Sequence, residues 1–187
     1  MTKHDGAKQP STVQSAEETT TPEKGASSPL ELYFFRHGPA GSASAWHGDD
    51  AERPLTDKGR ELTDRVAKRL AEACIEVDLV ITSPYVRAVQ TAEIAAAALG
   101  VKRSLEVDSL LEPGFDVAAL ERILGKYSDV KRVMVVGHQS DFSIVIGQLI
   151  GSADLVVRKA GVAMVELPEP GKMRGTLRFL APPSLLA

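Results

Sequence analysis

An α/β fold of three layers, with a mainly parallel sheet between helices and an antiparallel hairpin at one edge, is what this 187-residue sequence predicts. Three observations carry the prediction. Short apolar runs of strand character alternate with longer segments of helical periodicity. Gly-, Ser-, Asp- and Pro-rich stretches separate them, and the chain closes on two alternating segments around Glu169-Pro170-Gly171. Strands alternating with helices pair in parallel under helices on both faces, and two alternating segments joined by a turn fold back as a hairpin.

Residues 1–29 are rich in Ser, Thr, Pro, Glu, Lys and Gly and have almost nothing to bury. Such a segment cannot offset its ordering entropy, so a disordered tail is expected, with His4 in it carrying no role. The folded domain is expected over residues 30–187. LELYFF (30–35) is a strand, and GPAGSASAWHGDDAERP (38–54) is a long loop of the kind that is often functional. Thr56 caps a helix running to about residue 73, with Leu62, Val66 and Leu70 on one face. VDLVIT (77–82) is the next strand. Ser83-Pro84 then supplies an N-cap and a first-turn proline for a helix that runs to Leu99 and stops at Gly100. A shorter helix is expected over 116–126, a strand over 131–137 and a helix over 141–151. AGVAMVELP and GTLRFLAP form the closing hairpin.

Composition narrows the function. A formal net charge of −3 gives no global pull toward nucleic acid or an anionic membrane, so any anion site must be a local cluster of cations. No apolar run approaches the about 20 residues that span a bilayer, and no secretory h-region opens the chain, so a cytoplasmic location is expected. Cys74 is the single cysteine, which excludes an internal disulfide and a cysteine metal site. Its place in a helix-like pattern predicts a small buried hydrophobe.

In open α/β sheets ligands bind outside the carboxyl ends of the strands. The first predicted strand ends in Arg36-His37-Gly38, the second in Ser83-Pro84 with Arg87 one turn on, and the strand over 131–137 in Gly137-His138. Two arginines and two histidines thus converge at one edge of the sheet. Alone, either histidine is more often structural and Arg87 more often a solvated helix residue. Arg36, following four apolar strand residues, is a buried cation in need of a partner. Together they fit phosphoryl transfer. Arg36 and Arg87 match phosphate oxygens with planar forks, and Arg87 adds the potential of a helix N-terminus. His37 is a nucleophile once unprotonated, a state that neighbouring arginines favour, and the backbone at Gly38 can fix its tautomer. His138 donates to oxygens that gain charge in the transition state.

LYFFRHGPA resembles the RHG signature of the histidine phosphatase superfamily, which includes the phosphoglycerate mutases. DAERPLTDKGREL (50–62) is similar to the D-x-x-R-P-L-T-x-x-G run of SixA-like phosphohistidine phosphatases. SPYVRAVQTAEI (83–94) and VVGHQSDFSIVI (135–146) look like that group's S-P-x-x-R-A-x-Q-T and G-H segments. The resemblance covers nearly everything from Leu30 to Pro182. It implies the phosphoglycerate mutase-like fold, His37 as phosphate acceptor, and a pocket of Arg36, Arg87 and His138. It also implies no metal ion and no cofactor.

Members acting on phosphate esters carry an acidic residue that protonates the leaving alkoxide. Glu112 is either that acid or an ordinary loop carboxylate. Trp46 is either a lid over the substrate or a surface aromatic. His47, Asp49 and Asp50 do not make a metal site, because one flexible loop rarely supplies a full ligand set. Lys58, Arg60, Arg65, Lys68 and Arg69 form a solvated helix face, or with lower weight a docking surface for an acidic or phosphorylated protein. The expected activity is dephosphorylation of phosphohistidine in a protein. The alternatives are hydrolysis of a sugar phosphate or nucleotide and, less favoured, a catalytically silent phosphate-binding adaptor.

Overall fold

Leu30–Arg36 forms the first strand, β1, and Leu32 to Phe35 are buried on both of its faces. A strand with partners on both edges and helices above and below has no side left for solvent. In this computed structural model, which describes residues 1–2, 28–152, 155–168 and 171–187, helices and strands then alternate. They are α1 Asp57–Glu72, β2 Leu79–Thr82, α2 Val86–Ala98, β3 Leu105–Val107, α3 Val117–Lys126, β4 Arg132–Gly137 and α4 Asp141–Ile150. The hairpin strands β5 Val162–Leu167 and β6 Thr176–Ala181 follow, and then a last helical turn, α5 Pro183–Leu186. One six-stranded sheet runs in the order β3-β2-β4-β1-β5-β6. Its first four strands are parallel, and β5 lies antiparallel between β1 and β6.

Alternation along the strands divides the core into two. Leu32, Phe34, Ile81 and Val135 face α3 and α4, whereas Tyr33, Phe35, Val80 and Val136 face α1 and α2. The three predicted layers and the edge hairpin are thus present. Register decides which strand ends meet. Arg36 pairs with Gly137, and Thr82 with Val136, so the carboxyl ends of β1, β4 and β2 stop side by side.

Several boundaries differ from expectation for local reasons. Ser83 does not cap α2: its N–H still pairs with Val136 O at 3.0 Å, which keeps it in the sheet. Its hydroxyl accepts instead from the Tyr85 N–H at 3.3 Å, and the helix starts at Val86. Cys74 is exposed rather than buried, because α1 ends at Glu72 and Cys74 takes a left-handed turn with φ +56°. β3 was not expected. It is three residues long, lies at the sheet edge and is largely exposed, so it leaves no alternating signal. The 38–54 loop holds two single 3-10 turns, Ala43–Ala45 and Asp50–Glu52. Nearly all of the expected tail, and Glu169 and Pro170 of the expected turn, lie outside the described residues.

Candidate active site

Past the end of β1 the ladder continues for one more residue. His37 N–H donates to Gly137 O at 3.0 Å, and His37 O accepts from Ala160 N–H at 3.2 Å. The backbone under this imidazole is therefore fixed from both sides. Nδ1 lies 2.7 Å from the Gly38 carbonyl, which can only accept. The proton therefore sits on Nδ1, and Nε2 keeps a free lone pair. The tautomer contact expected at Gly38 is present. Gly38 itself has no room for a side chain, since a Cβ there would lie 2.3 Å from Thr63 Oγ1. Its N–H donates to Thr91 Oγ1 at 3.1 Å, which ties the turn to α2.

His138 follows β4 directly. Its Nε2 is 2.9 Å from Ser83 Oγ, and its ring centre is 5.3 Å from that of His37. Tyr85 packs edge-on to it at 5.0 Å, and Arg87 Cζ sits 4.8 Å from the centre of the Tyr85 ring. One wall of the site is therefore aromatic and carries the guanidinium on its face.

Burial sets the protonation state of both imidazoles. His37 is pushed down to about 3, first by burial; the Gly38 carbonyl opposes this, and His138, Arg87 and Arg36 add to it. The arginines lower the His37 pKa as expected, and burial, which the sequence does not show, lowers it more. Their charge adds to the effect of burial, and the loss of water around the ring is the larger cause. His138 is lowered to about 4, by burial and then by Arg87. The unfolded chain accordingly takes up protons near pH 6.5 that the folded chain refuses until about pH 4 and about pH 3. Stability is full above pH 6.5 and falls with acid through that window, on the order of 1 kcal/mol per pH unit for each histidine. Urea unfolding between pH 7 and 4.5 measures this. His37→Ala should flatten the slope, and an unchanged slope would assign the pH dependence elsewhere.

The two arginines bring buried charge to the same place. Arg36 Nη1 donates to Val157 O at 2.8 Å. Arg87 donates from Nη1 to Asp50 O at 2.6 Å and from Nη2 to Asp50 Oδ2 at 2.9 Å. Burial lowers the pKa of each, with Arg158 adding to the effect at Arg36, yet both remain cations. In each, Nε is buried with no hydrogen-bond partner. An orphaned buried donor costs about 1–3 kcal/mol, so two at one site call for a ligand rich in acceptors. A tetrahedral oxyanion fits that demand, and the free His37 lone pair beside it is a nucleophile for its central atom.

Of the residues singled out in the sequence, Arg36, His37, Gly38, Arg87 and His138 come together. Glu112 is exposed at the end of the 3-10 turn Ser109–Leu111, and its side chain makes no hydrogen bond or ion pair with the described residues. Trp46 is exposed and donates from Nε1 to Asp49 O at 2.8 Å, within its own loop. Asp50, Arg53, Ser83 and Tyr85 belong to the site region without having been assigned to it. The acid–base pair three residues apart at Asp50 and Arg53, beside an Arg-Pro step, was the available signal. Among the described residues no group of three His, Cys, Asp or Glu is placed to share a metal ion, and no helix could cross a membrane. A cavity of about 430 Å³ lined by Leu30, Leu124, Tyr127 and Lys131 opens at the opposite end of the sheet and includes none of these residues.

A parallel sheet with buried imidazoles and arginines at its carboxyl edge defines an α/β phosphoryl-transfer protein. A family model for the histidine phosphatase superfamily (branch 1) matches residues 32–113. An uncharacterized protein of Picosynechococcus sp. is 40% identical over 142 residues, which is 71% of this chain and 82% of that one. Phosphohistidine phosphatase SixA of Escherichia coli K12 is 29% identical over 157 residues, 82% of this chain and 94% of its own. The solved structure of the protein histidine phosphatase SixA complexed with tungstate superposes with a TM-score of 0.76 at 28% identity, over 84% of this chain and all of that one. The chain belongs to the histidine phosphatase superfamily and is a phosphatase of SixA-like type.

Proposed function

We propose that this phosphatase removes the phosphoryl group from phosphohistidine in a protein, through an intermediate phosphorylated on His37 and without a metal ion. The observation that carries the proposal is the free Nε2 lone pair of His37 beside two buried guanidinium N–H groups that lack partners. Nε2 attacks phosphorus. The P–N bond to the substrate imidazole breaks, and its electron pair leaves with that imidazole, which takes a proton from solvent. The Gly38 carbonyl, accepting from Nδ1–H, steadies the positive charge that the phosphorylated ring acquires. Water then attacks phosphorus and the P–Nε2 bond breaks. Inorganic phosphate departs, the attacking water's proton passes to the phosphate or to solvent, and His37 is restored. Arg36 and Arg87 neutralise the equatorial oxygens and His138 supplies a ring N–H, so these residues provide the charge that Mg²⁺ provides in other phosphoryl-transfer sites.

Likeness to SixA proteins supports the substrate class, and tungstate in the matched structure is an oxyanion of phosphate's shape. Glu112 supports it too. An exposed, unpartnered carboxylate fits a reaction whose leaving group departs without a positioned acid. The test is a panel of a phosphohistidine protein, p-nitrophenyl phosphate and alkyl phosphates, run with and without EDTA. The phosphohistidine protein should exceed alkyl phosphates in kcat/KM by about 10² or more, since alkoxide departure needs acid catalysis of that size. EDTA should change nothing. Glu112→Gln should leave every substrate within about twofold. A loss of roughly 10²–10⁴-fold confined to alkyl phosphates would instead make Glu112 a general acid and the enzyme a phosphomonoesterase.

A further inference from the structure

We propose that Asp50 is a positioning residue that holds Arg87 in register to receive the phosphoryl group. The proposal rests on the phosphate site described above and concerns how one of its cations is aimed.

Asp50 takes hold of Arg87 at two points. Its main-chain carbonyl accepts from Nη1 at 2.6 Å, and its Oδ2 accepts from Nη2 at 2.9 Å. Both terminal nitrogens are thereby fixed, and the Nε–H is left buried without a partner. The other carboxylate oxygen, Oδ1, accepts from Arg53 Nε at 2.8 Å and pairs with Arg53 Nη2 at 2.8 Å. Asp50 therefore bridges two guanidinium groups, one at the site and one at the root of the loop.

The direction of control runs from loop to arginine. Arg53 also donates from Nη1 to the carbonyls of Ala40 and Gly41, closing the two ends of the 38–54 loop on each other. Asp49 caps the turn that carries Asp50 by accepting from Ala51 N–H at 3.0 Å. Asp50 is thus held by its own loop, independently of Arg87. Arginine has many rotamers to lose, and a guanidinium fixed in advance loses less on binding an oxyanion. The geometry also leaves Asp50 off the phosphoryl group: its polar atoms are spent on the two arginines, and its side chain is 48% exposed while that of Arg87 is 5% exposed. Its carboxyl stays ionised, held below the usual range first by the bond from Arg53 and further by Arg87.

The test is a double-mutant cycle read as the inhibition constant of orthovanadate against p-nitrophenyl phosphate turnover. Asp50→Ala should raise that constant about tenfold, and Arg87→Ala should raise it about 10²-fold or more. Because Asp50 acts through Arg87, Asp50→Ala placed on Arg87→Ala should add no more than about twofold. A merely structural loop residue would cost the same factor in both backgrounds, and that multiplicative result overturns the proposal. Tighter vanadate binding in Asp50→Ala also overturns it, because the carboxylate would then be a competitor of the anion. An Arg87→Ala protein that binds vanadate as the wild type does would remove the phosphate site itself and the proposal with it. If Asp50→Ala does not fold, Asp50→Asn is near in shape and carries the same cycle.

Discussion

His37→Ala is expected to lower turnover of p-nitrophenyl phosphate by roughly 10⁴-fold or more, the scale seen when a nucleophile is removed. Nε2 of His37 carries a free lone pair beside two guanidinium groups, which have none to offer for attack. The fold should survive. The main-chain bonds of residue 37 to Gly137 and Ala160 do not involve the imidazole, and the ring's one hydrogen bond is to the adjacent Gly38 carbonyl. Brief reaction of the wild type with substrate, followed by denaturation in alkali, should trap a phosphoramidate that acid releases. The variant should trap none. Turnover in the variant above about a hundredth of the wild-type rate, well beyond the residual expected without a nucleophile, would end the covalent mechanism.

Arg36→Lys should lose roughly 10²–10³-fold in kcat/KM, the cost of removing one well-placed donor to a developing anion. The charge is kept in this variant, so the loss measures geometry. Arg36 uses Nη1 to hold the Val157 carbonyl while its Nε, on the other side of the guanidinium, remains free for the substrate. A lysine ammonium is a single point on a flexible stem and cannot do both. If it satisfies Val157 it abandons the phosphoryl oxygen, and if it turns to the oxygen it leaves a carbonyl of the neighbouring loop without its donor. Wild-type kcat/KM in Arg36→Lys would show that position 36 supplies charge alone.

The sheet was legible because its central strands are dense apolar runs that end abruptly in charged or imidazole side chains. That contrast alone places Arg36 and His138 at strand ends. The resemblance to the RHG and G-H segments points to the same residues independently. The roles of Asp50 and Arg53 were not legible beyond their paired spacing, since what they do depends on a loop folding back onto α2. No spacing in the sequence records which face of Arg87 that loop reaches. The arginines' part in the low His37 pKa was legible, and the larger part of burial was not, for a related reason. Neighbouring charges are visible in a sequence, whereas the depth of a side chain is a property of the packed fold. β3 and the left-handed turn at Cys74 were missed because three residues at an exposed edge, and one residue past a helix end, carry no periodic signal.

The position of β1 has a consequence for synthesis. It lies near the middle of the sheet, yet both strands that flank it come from late in the chain: β4 begins at Arg132 and β5 at Val162. By the time α2 has left the ribosome, β1, α1, β2 and α2 are present with no neighbour for β1 on either edge. The carbonyl of Val157 and the main chain at Ala160 and Gly161, which hold Arg36 and His37, arrive later still. Pairing at such separation is slow to close, and nothing shorter can stand in for it. The nascent chain therefore carries its reactive histidine for most of its synthesis in a solvated, ordinary state. The lowered pKa and the anion-binding donors come into being together, only once the last third of the chain has been made, so a polypeptide abandoned earlier has no assembled pocket with which to strip phosphate from its surroundings.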